Sequence, residues 1–284
     1  MSSKSLLLIA ASISASFAFQ LFAKALVPEP KAVINNFAIN EVYKTASASY
    51  KCIGDTTYGD SVSVYTEVSA SIEWPEKLGD LNIKNMQDSL MARVFPSPEA
   101  SIDENIRKYI SQPIFYSGDR LMAVDKVPEI GDLTRSYFKH VDVKTVGFCE
   151  NFIVYKTFYS DYTGGAHGSH NTLFLNYDLK NNKILNYDDI FIAGSQDSLL
   201  SVVKQALCDQ YYAKDLTALE EASGIFTKDI FVTHNVYLTG YNVVFFYNPY
   251  EIGPWSIGDI EVKVPIYQIS DYLKPEVKAL YKDI

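Results

Sequence analysis

The side chains of this chain best equipped for chemistry are His167 and His170, three positions apart, with Asp161 and Asp178 to either side. Imidazoles and carboxylates are the donor set of a zinc-type site. A zincin, however, presents its two imidazoles from an H-E-x-x-H helix, and this pair lies in a glycine-rich stretch instead. No metal or cofactor is therefore expected. His167 alone could act as a general base, because imidazole titrates near neutral pH. Acyl transfer would also need a nucleophile, and G-x-S-x-G is absent. The acids Asp188-Asp189 and Glu220-Glu221 are sequence neighbours whose side chains diverge, unlike a paired acid and base. No catalytic residue is assigned. A hydrolase built from His167, Asp161 and Glu251 stands as the second reading, beside a first in which His167 caps carbonyls and shapes its loop.

Recognition chemistry is better represented. The block Tyr162-Thr163-Gly164-Gly165-Ala166-His167-Gly168 holds three glycines in five positions. Such a block allows positive φ or close approach of another surface, at an entropic cost ordinary loops avoid. A second shaped loop, Asn248 to Gly258, combines Pro249 and Pro254 with Gly253, Gly258, Tyr250 and Trp255. Tyrosine and tryptophan on rigid loops dominate binding hot spots, and they also plug the ends of sheets. Both uses stay open at this point.

Several elements must position these loops. Residues 37 to 74 alternate apolar and polar, as in Val62 to Val68, and read as strands around a turn at Gly54 to Asp60, stopped by Trp74-Pro75. Asn82 to Phe95 places Ile83, Met86, Leu90 and Val94 on one helical face, and Ser101 to Ile110 reads as a second helix. Ser136 to Glu150, Asn151 to Tyr159 and Leu173 to Asp178 read as strands, the last turning through Asn181-Asn182 into Ile184-Leu185. Ser195 is placed as N-cap of a helix over Asp197 to Tyr212. Further strands are expected at Phe231 to Thr233, Val236 to Leu238, Asn242 to Tyr247 and Ile260 to Val264, with a closing helix over Ser270 to Tyr281. Strands and helices segregate without βαβ alternation. The class is therefore α+β, with largely antiparallel sheets, helices packed on them and two subdomains.

The N-terminus speaks to compartment. Lys4, the apolar run Leu6 to Phe22 and Ala23-Lys24-Ala25 have the layout of a secretory signal peptide over residues 1–25. The location expected is extracytoplasmic, periplasmic or secreted, with a retained N-terminal membrane anchor as the alternative. Residues 26–36, with Pro28 and Pro30, read as a linker, and no later stretch approaches a membrane span. Losing Lys4 and Lys24 from 25 basic residues leaves 23 against 34 acidic, a net charge of −11. Such a chain repels nucleic acid and attracts basic partners. The cysteines Cys52, Cys149 and Cys208 lack C-x-x-C spacing and read as buried apolar thiols.

Tyr162 to His167, followed by Phe174 to Leu179, Lys183 to Leu185 and Asp189-Ile190-Phe191, resembles the C-terminal domain of RsiV-type anti-sigma factors. The same domain accompanies PdaC-type peptidoglycan deacetylases as an accessory module. Tyr247 to Gly258 is similar to that family's Pro-Tyr-Glu segment, with Trp255 where tyrosine is common. The likeness covers about residues 150 to 275 and implies an N-terminal PdaC-like domain over 37–135 and an RsiV-like domain over 136–284. By that analogy the ligand-binding residues are Tyr162, Gly164, Gly165, His167, Pro249, Tyr250, Glu251 and Trp255. The implied function is non-catalytic binding in the bacterial cell envelope, of a basic lysozyme-like protein or of peptidoglycan. Only five residues precede the apolar run, so sigma-factor signalling is not implied, and the deacetylase domain is absent. A wall hydrolase or deacetylase using His167, and a structural envelope component, are the alternatives.

Overall fold

The computed structural model describes residues 39–53, 62–113, 120–129 and 134–281. The expected signal peptide, linker and turn at 54–60 lie outside them. In chain order the main elements are β1 (Ile39–Ile53), β2 (Ser63–Leu78), α1 (Lys84–Val94), α2 (Ile102–Ile110), β3 (Arg120–Val124), β4 (Thr134–Cys149), β5 (Phe152–Tyr162), β6 (Ser169–Asp178) and β7 (Lys183–Leu185). There follow α3 (Tyr187–Ile190), α4 (Gln196–Gln210), α5 (Leu216–Ser223), β8 (Val236–Leu238), β9 (Asn242–Tyr247), β10 (Ile260–Pro265), α6 (Ile266–Ile269) and α7 (Pro275–Lys278).

Seven strands form one sheet in the order β3-β1-β2-β4-β5-β6-β7, and three form a second in the order β10-β9-β8. Among the described residues every pairing is antiparallel except β2 with β4. This is the α+β, largely antiparallel class that the segregated pattern predicts.

Strand β5 explains where the core sits. Phe152 and Val154 enter one apolar cluster while Ile153 and Tyr155 enter another, all with no exposed surface. Successive side chains of a strand face opposite ways, so both faces of the sheet are covered here. On one face lie α1 and α2, through Met86, Leu90, Val94, Ile102 and Ile106. On the other lie the second sheet and α4, through Leu199, Val203 and Leu207. Helix α2 opens with a capping box, in which the Ser101 hydroxyl accepts from Glu104 N at 3.3 Å and the Glu104 carboxylate accepts from Ser101 N at 3.2 Å.

Several sequence expectations need correction. Trp74-Pro75 does not stop the sheet, for β2 runs on to Leu78. Register slips there, with Asn40 opposite Lys77 and Glu41 opposite Pro75, and a bulge is where a strand accommodates a residue without an N–H. Residues 231–233 are not a strand. The Phe231 carbonyl instead accepts from the Tyr247 hydroxyl at 2.5 Å. The closing helix is broken into short turns, because Pro275 cannot continue a helix and starts α7 afresh. Ser195 stands at the N-cap position of α4 as expected, but its hydroxyl donates to the Ile192 carbonyl at 2.8 Å and makes no capping bond to the helix. Cys149 and Cys208 carry free thiols, and Cys52 is buried beside Val64 and Tyr137.

Candidate functional site

Strand β6 builds the site. Beyond its three-residue pairing with β7, its second edge would present bare N–H and C=O groups, a liability in any sheet. Two asparagine amides, each carrying one donor side and one acceptor side as a peptide group does, fill that role on β6, and a third does the same for β8. Asn248 Oδ1 accepts from Thr172 N at 2.6 Å and its Nδ2 donates to Thr172 O at 3.2 Å. Asn235 Nδ2 donates to the same carbonyl at 2.8 Å, while its Oδ1 accepts from Phe174 N at 3.2 Å. Asn176, itself on β6, reaches the free edge of β8, accepting from Leu238 N and donating to Val236 O, both at 2.8 Å. Side-chain amides thus stitch the two sheets together.

Asn248 fixes the start of the second loop against β6, and this brings the two shaped loops together. The His167 ring stacks on Trp255 with centroids 4.4 Å apart and planes 9° apart. Its Nδ1–H donates to Gly168 O at 2.8 Å, which leaves Nε2 to accept from the Tyr250 hydroxyl at 3.3 Å. Tyr250 lies 6.1 Å from Trp255, stands 64% exposed and holds φ at 71°. His170 supports Trp255 from another side at 4.9 Å, and its Nε2 bonds Asp259 at 2.8 Å. Tyr250, His167 and Trp255 form one partly exposed aromatic platform.

The glycine loop is shaped from within. Gly164 and Gly165 take φ of 102° and 94°, a region that side chains resist. The Tyr162 hydroxyl donates across the loop to Gly165 O at 3.0 Å, and its ring packs on Tyr137 and Phe138. A Cβ on Gly168 would fall 2.8 Å from the Asp161 carbonyl, so only glycine fits there.

Of the eight expected site residues, His167, Tyr250 and Trp255 make the platform, while Gly164, Gly165 and Pro249 belong to the two loops that carry it. The other two act as braces. Tyr162 is the last residue of β5 and turns its hydroxyl into the loop. Glu251 closes its own turn, its Oε2 accepting from Asn248 N at 2.8 Å. Asp161 is engaged by the Ser169 hydroxyl at 2.6 Å, and neither it nor Glu251 hydrogen-bonds His167. His170 belongs to β6 rather than to the glycine loop and faces Asp259, so the two histidines serve different partners. Sequence reasoning weighed His170 only as a metal ligand and missed its part in bracing Trp255, together with Asp259 and the three asparagine amides. Asn176 was the detectable one, as a polar residue inside the apolar run Leu173 to Tyr177.

Burial raises the Glu251 carboxyl above its ordinary range, opposed by hydrogen bonds from Asn248 and reinforced by the Asp259 charge. A carboxyl whose folded pKa lies above its unfolded value binds its proton more tightly when folded. The associated stability is present below the unfolded pKa and is lost as pH rises through the folded one. Glu251→Gln, which carries no such penalty, is expected to gain stability relative to the parent as pH rises from the unfolded carboxyl range, about pH 4, towards neutral. Parallel thermal melts across that range check it, and a pH-independent difference would count against the assignment.

Comparison with known proteins adds the following. Residues 188–267 match the family model "Protein of unknown function (DUF3298)", a span that includes the Trp255 loop. No curated protein matches the chain. A solved DUF3298 family member from Bacteroides fragilis is 25% identical with a TM-score of 0.64, over 86% of this chain and 96% of that one. Another, from Pseudomonas aeruginosa PAO1, is 17% identical with a TM-score of 0.56, over 86% and 98% respectively, a likeness of fold. Residues 188–267 thus resemble the DUF3298 family, and the fold around them is shared with solved proteins of that family.

Proposed function

We propose that this chain is a non-catalytic extracytoplasmic binding protein of the bacterial envelope whose recognition surface is the Tyr250–His167–Trp255 platform. The observation that carries this reading is the stacking of His167 on Trp255 by loops 88 positions apart in sequence, beside an exposed Tyr250. A rigid aromatic cluster that keeps part of its surface in water is the composition of a hot spot. Both ring nitrogens of His167 are engaged, one by a carbonyl of its own loop, which suits an organising role better than proton transfer.

The favoured ligand is a basic wall-lytic protein of lysozyme type. Asp161 and Asp259 flank the platform, and the whole chain carries a net charge of −9, which favours association with cations. The RsiV-type motifs in both loops point the same way. The extracytoplasmic location rests on the signal-like segment ending at Ala25. Among the described residues no helix is long and apolar enough to cross a membrane.

The test titrates the protein with a basic lysozyme and, separately, with purified peptidoglycan, at about 50 and about 300 mM salt. Saturable binding of the lysozyme that weakens several-fold at the higher salt is expected, since screening shortens the reach of surface charge. Binding of peptidoglycan alone would reassign the ligand to the wall polymer. Failure of both, with hydrolysis of wall fragments, would replace the proposal with the enzyme reading.

A further inference from the structure

A cleft of about 320 Å³ opens between α1, β6, α3 and the segment leading into β8, lined among others by Arg93, Asn176, Tyr187, Asp188 and His234. That volume suits a small molecule rather than a protein segment. The Asn176 and Asn235 amides are committed to strand edges, so the polar capacity left in the cleft includes Arg93, Asp188, His234 and the buried, unpartnered Tyr187 hydroxyl.

The cleft carries one charge of each sign, the half-buried Arg93 and the exposed Asp188. Among the described residues neither the Arg93 guanidinium nor the Asp188 carboxylate makes a hydrogen bond or ion pair. Charged neighbours on the same elements do find partners: Lys84 pairs with Asp88 within α1, and Lys183 lies 3.9 Å from Asp189 of α3. Both unmatched groups stand on fixed supports. The Tyr159 hydroxyl bonds the carbonyls of Arg93 and Val94, at 3.1 and 2.8 Å, pinning the last turn of α1 to β5. Asp189 Oδ2 accepts from Asn186 N at 3.1 Å and holds the turn that carries Asp188. His234 stacks on Tyr187 at 4.1 Å with planes 8° apart and forms a flat wall.

A planar guanidinium recognises a carboxylate through two parallel N–H donors, and a carboxylate recognises an ammonium. A simple anion entering this cleft meets the Asp188 charge, and a simple cation meets that of Arg93. Only a molecule carrying both signs is welcomed by each. We propose that the cleft binds a small zwitterion, the chemistry shared by a free amino acid and the two ends of a short peptide, with Arg93 receiving its carboxylate and Asp188 its ammonium. The site is separate from the aromatic platform and does not depend on the reading of that platform.

The chain holds 4 histidines, so its imidazole C–H resonances are few, and loss of a signal in His234→Gln assigns that of His234. The full chain is titrated with alanine, alanyl-alanine, N-acetylalanine and ethylamine, each to about 20 mM. A saturable shift of the His234 signal by a zwitterion is expected, with either singly charged probe roughly tenfold weaker or more. Arg93→Gln and Asp188→Asn should each weaken the zwitterion about tenfold, and Arg93→Lys less, because it keeps the charge without the fork. Tighter binding of alanine assigns a free amino acid, and tighter binding of alanyl-alanine assigns peptide ends. Either result supports the site. It is overturned if neither zwitterion gives a saturable shift, if a singly charged probe on the unmodified chain binds as well, or if folded Arg93→Gln and Asp188→Asn bind like the parent.

Discussion

Replacing Asn176 by alanine is expected to destabilise the protein by about 4 kcal/mol, because it orphans two buried backbone groups at once, each worth about 1–3 kcal/mol when left unpaired. Asn176 is 3% exposed, and its amide is the bridge between β6 and the free edge of β8, through Leu238 N and Val236 O. Neither group has another strand beside it, and water has poor access to residues as enclosed as Leu238, which is 0% exposed. Asn176→Asp keeps the shape but loses the donor to Val236 O and buries a charge, so it should do at least as much damage. Denaturant unfolding of both variants checks this. A loss under about 1 kcal/mol for the alanine variant would mean that the two sheets are held by packing alone.

The second large effect concerns binding. Trp255→Ala removes the surface on which His167 stacks and against which Tyr250 and His170 lean. If the platform is the recognition surface, affinity for the basic wall-lytic partner should fall about 30-fold or more, in keeping with about 2 kcal/mol or more for a central aromatic anchor. Trp255 is only half buried, so the fold should survive, with a melting temperature within several degrees of the parent. Calorimetric titration gives the affinity and a thermal melt gives the control. A folded Trp255→Ala protein that binds within threefold of the parent would move the recognition surface elsewhere.

The sequence made the site legible in type more than in mechanism. Glycine and proline spacing exposed both loops, since those residues have few other reasons to cluster. Their convergence was not visible, because nothing local to Asn248 announces that its amide will seat on Thr172, 76 residues earlier. The strands and amphipathic helices that dominate the core were legible through periodicity, and Met86, Leu90 and Val94 lie buried as that period requires. Helix α5 was invisible to the same logic. It spans eight residues and buries only Leu219, which is too little for a period, though Asp215 caps it and Gly224 ends it at φ 76°. The expected strand at Phe231 to Thr233 had a strand's composition without a partner edge, and tertiary contacts decided it.

The parallel contact between β2 and β4 runs from Ser63 opposite Thr134 to Ile72 opposite Val143, always 71 positions apart. Closing a loop of that length carries an entropic penalty that grows only with the logarithm of its size, by about 0.6 kcal/mol per doubling. Residues added to or removed from the connections that flank α1, α2 and β3 within the crossover would therefore add little closure penalty, whereas changes inside α1 or α2 would lose the core contacts of Met86, Leu90 and Ile106. The aromatic platform lies beyond the seam, on the loop between β5 and β6 and the loop that follows β9. Those connections, rather than the helices between them, are thus where the crossover absorbs changes of length at small entropic expense, while the aromatic platform stays where the asparagine amides hold it.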